Sequence, residues 1–533
     1  CKTNLEENNF AGYFATSSKF QFRCQEPKCH FYRDIPIQIV DEELYNTPPT
    51  LLLGTVDKFA QIAWRSEPAI FLGKNGKTPA LIIQDELHLI SGPLGSVVGH
   101  YEVLLKMIME KNGNLPKIIA STATIRRAKE QVFGLYRSTH QIFPPQGIDY
   151  DDSYFAREAK DVIENPGRRY VGIFCSGTKS HVFSQVKLLS PIIQFPTSFF
   201  KSHLEPLEPD ETVDRRILSE DVDNEFIDPY GTVIWYFNSL RELGYADNLI
   251  NEDISQQLKS LCKRYDIPVA LRKRPVNTRE MTSRAKENEI SEILNQLKLG
   301  WKPSRYHKSI DVLSATNMIS VGVDIDRLGL MVITGQPKNT SEYIQASSRV
   351  GRKYPGLVFT LYNHTRSRDR SHFETFKSYH QAIYKHVEPT SITPFSYKSR
   401  ERSLPGLIVG FSRVNFDIND PKQILDKEIE IKEKLEDYFE ILSNFDLLDD
   451  DISVARDQVE NIFKKWKKIA SDADEAGQKV EWKKSKNGND FILIEYGKKP
   501  DEEDNIEPVG MLTSMRNVDV EATLRIATSS EEV

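Results

Sequence analysis

The apolar run Ala80-Leu81-Ile82-Ile83 leads, through Gln84, into the acid pair Asp85-Glu86. A short uniformly apolar run reads as a strand buried on both faces. Strands of that kind belong to parallel sheets covered by helices, so the stretch is committed to an α/β layer. In open α/β sheets, ligands bind outside the carboxyl ends of the strands. Two adjacent carboxylates there suit magnesium–nucleotide chemistry. One holds the metal, directly or through water, and the other orients an attacking water. The competing reading is a solvated surface pair.

Just upstream, Gly76-Lys77-Thr78 imitates the end of a phosphate-binding loop. Such a loop reads G-x-x-x-x-G-K-[ST], follows a strand and opens a helix, so that its amides cradle phosphate. Here Phe71 stands where the first glycine belongs, and Pro79 leads into the apolar run. The tripeptide enters a strand instead of leaving one, which reads as a polar turn.

Other apolar runs end in small hydroxyl residues. Pro49 to Phe59 reads as a strand leading into Thr55, Asp57 and Lys58, with Gly54, Thr55 and Lys58 available to a phosphodiester backbone. Lys117 to Ala120 leads into Ser121-Thr122, which can bond a neighbouring acid or cap the helix begun by Arg126-Arg127. Tyr170 to Phe174 leads into Cys175-Ser176-Gly177-Thr178, and Ile310 to Leu313 into Ser314-Ala315-Thr316 and on to Gly322 and Asp324. Residues 191 to 303 show little strand periodicity and read as an insertion with some helices. In Gln345-Ala-Ser-Ser-Arg349-Val-Gly-Arg352 the two arginines share one face if the segment is helical, and two guanidiniums aimed together suit a triphosphate.

The order of these segments resembles the core of superfamily 2 helicases of the DExH type, over about Leu51 to Thr360. The runs TVDKFAQIAWRSE, IIQDELHLISGPLGSVVGHYE, QASSRVGR and TSMRNVD (513–519) narrow the resemblance to the helicase family of the DISARM anti-phage defence system. The resemblance implies an α/β fold of two RecA-like lobes, the first incomplete at its N-terminus, with a mainly helical C-terminal accessory domain. It implies ATP and Mg²⁺ as cofactors, with DNA (single-stranded, or duplex with an overhang) and other defence-system subunits as partners. Under it Asp85 coordinates Mg²⁺ and Glu86 orients the hydrolytic water. His88, Ser121 and Thr122 couple nucleotide to nucleic acid. Gln345 faces the phosphates, and Arg349 and Arg352 are arginine fingers. Gly322 and Asp324 lie near the nucleotide sugar, while Thr55, Lys58, Thr178 and Thr316 meet the nucleic-acid backbone. Two alternatives stay open: a non-catalytic DNA-binding or assembly subunit, and an RNA helicase.

The sequence departs from that family in one respect: no G-x-x-x-x-G-K-[ST] precedes the acid pair. The chain is expected to be the carboxyl-terminal part of a longer protein. The alternatives are a loop on a separate polypeptide or an abandoned ATPase. The expected organisation is residues 1–48 as a zinc-binding or inserted segment, 49–150 as the rest of lobe 1, 151–400 as lobe 2 with the insertion, and 401–533 as the accessory domain.

The 533 residues, 39% hydrophobic and 28% charged, suffice for roughly three or four domains of ordinary soluble composition. No apolar stretch is long enough to span a bilayer, so no membrane partner and a cytoplasmic location are expected. Five cysteines without an even framework point to a reducing compartment. Cys24-x₄-Cys29, with Cys1, is either part of a structural zinc site or a set of plain thiols. A net charge of -7 advertises no nucleic acid globally, though it permits a local basic groove. Arg366, Arg368 and Arg370 are placed to meet a strand. Ile424, Ile431, Leu435, Tyr438 and Leu442 recur at helical spacing, as do Val459, Ile462, Phe463, Trp466 and Ile469, so both segments read as amphipathic helices.

Overall fold

The computed structural model describes residues 12–17, 19–74, 77–113, 115–122, 128–145, 147–148, 154–155, 157, 167–177, 180–203, 226–275, 277–301, 308–320, 323–388, 391–443, 449–485, 490–501 and 506–515. The chain divides into two compact units, the first made of Cys1–Gln141 and Pro389–Val533, the second of Ile142–Glu388.

The first unit opens with an antiparallel hairpin, β1 (Tyr13–Ala15) and β2 (Phe20–Phe22). Its α/β portion is one strand–helix–strand repeat: β3 (Leu81–Gln84), α1 (Gly92–Asn112) and β4 (Lys117–Ala120), followed by α2 (Ala128–Tyr136). The strands pair in parallel, Leu81 opposite Lys117 and Gln84 opposite Ala120. Pro93 sits in the first turn of α1, where its missing N–H costs nothing, and Gly113 follows the last turn. The expected strand at Leu51–Leu53 does not form. These leucines are 76%, 44% and 86% exposed and lead directly into a single 3₁₀ turn, Val56–Ala60. An apolar run becomes a strand only where a neighbour pairs with it, and none of the described residues does so here.

The second unit holds β5 (Arg168–Phe174), α3 (His181–His203), β6 (Val233–Phe237), β7 (Thr278–Met281), α4 (Glu287–Lys298), β8 (Val312–Ala315), β9 (Leu330–Thr334), α5 (Thr340–Ser347) and β10 (Gly356–Tyr362). Its six strands run in the order β5-β10-β9-β6-β8-β7, and every pairing is parallel. The α/β expectation therefore holds. The insertion expected over 191–303 does not: β6 lies inside this sheet and β7 at its edge. All five residues of β6 are buried. Ile234 and Tyr236 enter one apolar cluster, and Val233, Trp235 and Phe237 the other. A strand covered on both faces loses polar alternation, and that is why periodicity missed it.

Residues 389–533 return to the first unit as α6 (Tyr397–Asn415), α7 (Ile424–Ser443), α8 (Asp449–Glu475) and a parallel sheet β11 (Val480–Lys483), β12 (Asp490–Glu495), β13 (Val509–Met511). One apolar core joins Tyr101 and Leu104 of α1 to Leu407 and Ile408 of α6, Tyr438 of α7, and Phe463 and Trp466 of α8. The helical stripes read from sequence are buried: Ile424, Ile431, Leu435 and Tyr438 on one helix, Val459, Phe463, Trp466 and Ile469 on the next. Glycine sets the closeness of α1 and α6, since a Cβ on Gly406 would lie 2.0 Å from Tyr101 Oη. The residues expected as a separate accessory domain thus share a core with residues of the first 141. No described helix is long and apolar enough to cross a membrane.

Candidate nucleotide and nucleic-acid site

The carboxyl ends of β3 and β4 bring two sequence motifs together in the first unit. Ser121 N–H donates to Gln84 O (2.8 Å) and Leu87 N–H to Ser121 O (2.9 Å), which extends the ladder past both strands. Ser121 Oγ donates to Asp85 Oδ1 at 2.5 Å, and the Glu86 amide donates to the same oxygen at 2.9 Å. Asp85 is exposed, and Oδ2 keeps no partner among the described residues. One oxygen is thus fixed and the other open, which fits a carboxylate that shares a hydrated cation with a ligand. Glu86 takes a left-handed backbone (φ 51°, ψ 47°), uncommon for a residue with a side chain. The turn Leu87–Leu89 follows. His88 Nδ1 lies 3.2 Å from Thr122 Oγ1 and 3.4 Å from Glu86 Oε2. One imidazole nitrogen therefore senses both motifs.

Sequence reasoning missed the residue that braces this turn. Gln131 of α2 is 1% exposed, and its Nε2 donates to Leu87 O and Ile90 O, both at 3.1 Å. A glutamine among apolar helix positions carries no signal of that role.

Thr55 and Lys58 are exposed around the 3₁₀ turn, with Lys58 3.6 Å from Asp41. The turn is tied to the far end of the chain: Ser514 Oγ donates to Asp57 Oδ1 (2.7 Å), Gln61 Nε2 to Thr513 O (2.9 Å) and Trp64 Nε1 to Leu512 O (2.8 Å). Two motifs of the resemblance, separated by most of the chain, thus meet in one place. Lys77 and Thr78 lie shortly before β3, so the tripeptide leads into a strand as expected, and Gly76 lies outside the described residues.

In the second unit, α5 ends at Ser347, so Arg349 and Arg352 do not share a helix face as expected. Gly351, at φ +73°, turns the chain instead. The guanidiniums converge by another route. Arg349 Nη1 donates to Val323 O (3.2 Å), and Arg352 pairs with the Asp324 carboxylate. Gln345 is half-buried, and its carbonyl accepts from Ser348 Oγ. Thr316 is 6% exposed, and its amide donates to Met281 O. That burial leaves its side chain little surface for a backbone contact. Thr178 and Gly322 lie outside the described residues. Arg366 pairs with Glu242, Arg368 Nη2 donates to Gln336 O (2.6 Å) and Arg370 pairs with Glu374, so these three arginines are engaged within the unit.

Cys24 Sγ accepts from Glu26 N–H (3.5 Å) and Cys29 Sγ from Phe31 N–H (3.4 Å), a turn that would suit a thiolate pair. Cys1 lies outside the described residues. Among the described residues no group of three His, Cys, Asp or Glu side chains is arranged to hold a metal.

Residues 248–354 match the helicase conserved C-terminal domain. The chain is 41% identical over 434 residues to the DISARM protein DrmA of Bacillus paralicheniformis, an alignment that covers 74% of this chain and 36% of that relative. The chain therefore spans about a third of the relative's length. Among solved structures it is similar to the DUF1998 helicase MrfA bound to DNA and AMPPNP (16% identity, 69% of this chain and 42% of that one, TM-score 0.45). It is also similar to the Mycobacterium smegmatis helicase Lhr bound to ssDNA and AMP-PNP (12%, 70% and 40%, TM-score 0.43). Neither likeness is tight enough to carry a functional argument. The chain is thus similar to helicases over residues 248–354 and to DrmA over 434 residues.

Proposed function

We propose that this chain belongs to an ATP-dependent DNA helicase or translocase that works in anti-phage defence beside other subunits. The observation that carries the reading is the convergence at the end of β3 and β4. There an exposed Asp85 is fixed by Ser121, and His88 stands between Glu86 and Thr122. In this reading Asp85 would hold Mg²⁺ and Glu86 would orient the attacking water. The magnesium would neutralise charge on the transferring phosphoryl group. Phosphoryl transfer depends more on positioned charge than on covalent chemistry, and Arg349 and Arg352 would supply positive charge. Thr55, Lys58 and Thr178 would grip the DNA backbone without reading bases.

The phosphate-binding loop is absent from the sequence, and β3–β4 leaves Leu81, Ile83 and Ile119 47%, 66% and 49% exposed. Parallel strands are covered on both faces in finished folds. Both facts are met if a further α/β segment of the natural protein covers this pair and brings the loop. The test is ATP hydrolysis by the natural full-length protein with DNA or RNA added. The reading expects stimulation by DNA. Stimulation by RNA alone would contradict the substrate, and absence of hydrolysis would favour the assembly-subunit alternative.

A further inference from the structure

The loop that bears Arg349 and Arg352 has its own holder, which no motif predicts. Arg168 is the first residue of β5, and its register partner is Gly356, the first residue of β10. Its guanidinium reaches back across that edge. Nε donates to Val350 O at 2.7 Å and Nη2 to Ser348 O at 3.3 Å, the two carbonyls that flank Arg349. Two residues along, on the same face of β5, Tyr170 Oη lies 3.1 Å from Ser347 Oγ at the end of α5. The start of β5 therefore touches the segment Ser347 to Val350 at three points.

Packing tightens the same grip. A Cβ on Gly351 would lie 2.6 Å from Gly356 Cα and 3.0 Å from Arg168 Cγ. One on Gly356 would lie 2.9 Å from Arg168 Cγ. Gly351 also needs φ +73°, which a side chain resists. The aliphatic stem of Arg168 thus lies over two glycines while its head holds two carbonyls. With the turn fixed, Arg349 and Arg352 leave it toward Val323 and Asp324.

We infer that Arg168 is a positioning residue for the arginine fingers: it touches no nucleotide and acts by setting the geometry of the Ser348–Arg352 turn. The inference rests on the proposed ATPase reading. A planar fork holds two carbonyls in one fixed geometry, whereas a lysine in its place offers a compact charge on a flexible stem and fixes them less firmly. Small misplacements of groups that meet a transition state cost rate far more than binding.

The test is steady-state ATP hydrolysis by the natural full-length protein at saturating DNA, with Arg168→Ala, Arg168→Lys, Arg349→Ala and the double variant Arg168→Ala/Arg349→Ala. Arg168→Ala should lower kcat about 10-fold and leave KM for ATP within about twofold. Arg168→Lys should fall between that variant and wild type. The double variant should be slower than Arg349→Ala alone by clearly less than the loss that Arg168→Ala causes in wild type, because Arg349 is one of the two groups through which Arg168 acts. Losses that multiply in the double variant, or a kcat for Arg168→Ala within twofold of wild type, would overturn the inference. If Arg168→Ala does not fold, Arg168→Lys combined with Arg349→Ala makes the same comparison. Should Arg349→Ala itself turn over at the wild-type rate, the arginine-finger reading and this inference fall together. Failure of the Arg168 arms alone, with Arg349→Ala slow, sinks only the inference.

Discussion

β6 and β3 are both short apolar strands in parallel pairings, yet they sit in opposite surroundings. Val233–Phe237 is buried throughout, between two apolar clusters. Leu81–Gln84 alternates between exposed and half-buried residues and has β4 as its one neighbour among the described strands. The six-stranded sheet is thus covered on both faces, whereas Asp85 and Glu86 follow a strand whose residues are exposed or half-buried.

The largest effect that sharpens this contrast is a matched pair of truncations. Trp235→Ala removes a fully buried ring whose Nε1 donates to Thr334 Oγ1 at 2.9 Å, and should cost about 3–5 kcal/mol. Ile83→Ala, at 66% exposure, should cost about 0.5 kcal/mol or less in this chain. Equal losses in chemical denaturation would break the contrast. The first unit is nonetheless dense away from its strand pair. Gly406→Ala, which drives a methyl into Tyr101, should cost about 1–3 kcal/mol by the same measurement.

A pH effect comes next. His100 of α1 is 1% exposed. Its Nε2 bonds the Pro394 carbonyl at 2.8 Å, and its Nδ1 lies 2.6 Å from Tyr438 Oη. A carbonyl only accepts, so the neutral ring carries its proton on Nε2 and accepts the tyrosine hydroxyl at Nδ1. Burial, with Arg137 and Arg400 nearby, pushes its pKa down to about 3. The folded pKa lies below the unfolded one, so the unfolded chain takes up the extra proton as pH falls. Stability from this group is whole above pH 6.5 and lost between 6.5 and about 3. The slope is about 1.4 kcal/mol per pH unit. His100→Asn should flatten the profile over that window, and an unchanged slope would contradict the buried neutral ring. A modest effect on catalysis is expected beside Asp85. Ser121→Ala frees Asp85 Oδ1 from one bond and should cost about 1 kcal/mol of transition-state stabilisation, read as a several-fold fall in kcat/KM for ATP.

How much of this was legible in sequence depends on which physical signal each residue carried. The stripes of α7 and α8 were readable because helical burial repeats with a fixed period, and Phe463 and Trp466 obey it. The pairing of Asp85 with Ser121 was one of two readings that the strand end allowed, the other being a helix cap. β6 was hidden because burial on both faces erases alternation. Leu51–Leu53 misled because composition cannot show whether a pairing neighbour exists. The arginines were placed on one helix by spacing, while Gly351 with its positive φ ended that geometry. Gln131 and Arg168 act on backbone carbonyls, and a carbonyl leaves no trace in sequence. The union of residues 389–533 with α1 in one core was equally unreadable, since long-range packing has no local pattern.

The most direct test of the account is DNA-stimulated ATP hydrolysis by the natural full-length protein carrying Glu86→Gln, measured beside wild type. The substitution keeps the shape of the side chain and removes the charge that would orient the attacking water. The account predicts a fall in kcat of about 100-fold or more with ATP binding retained. Turnover within a few-fold of wild type would show that the Glu86 carboxylate does not carry the chemistry.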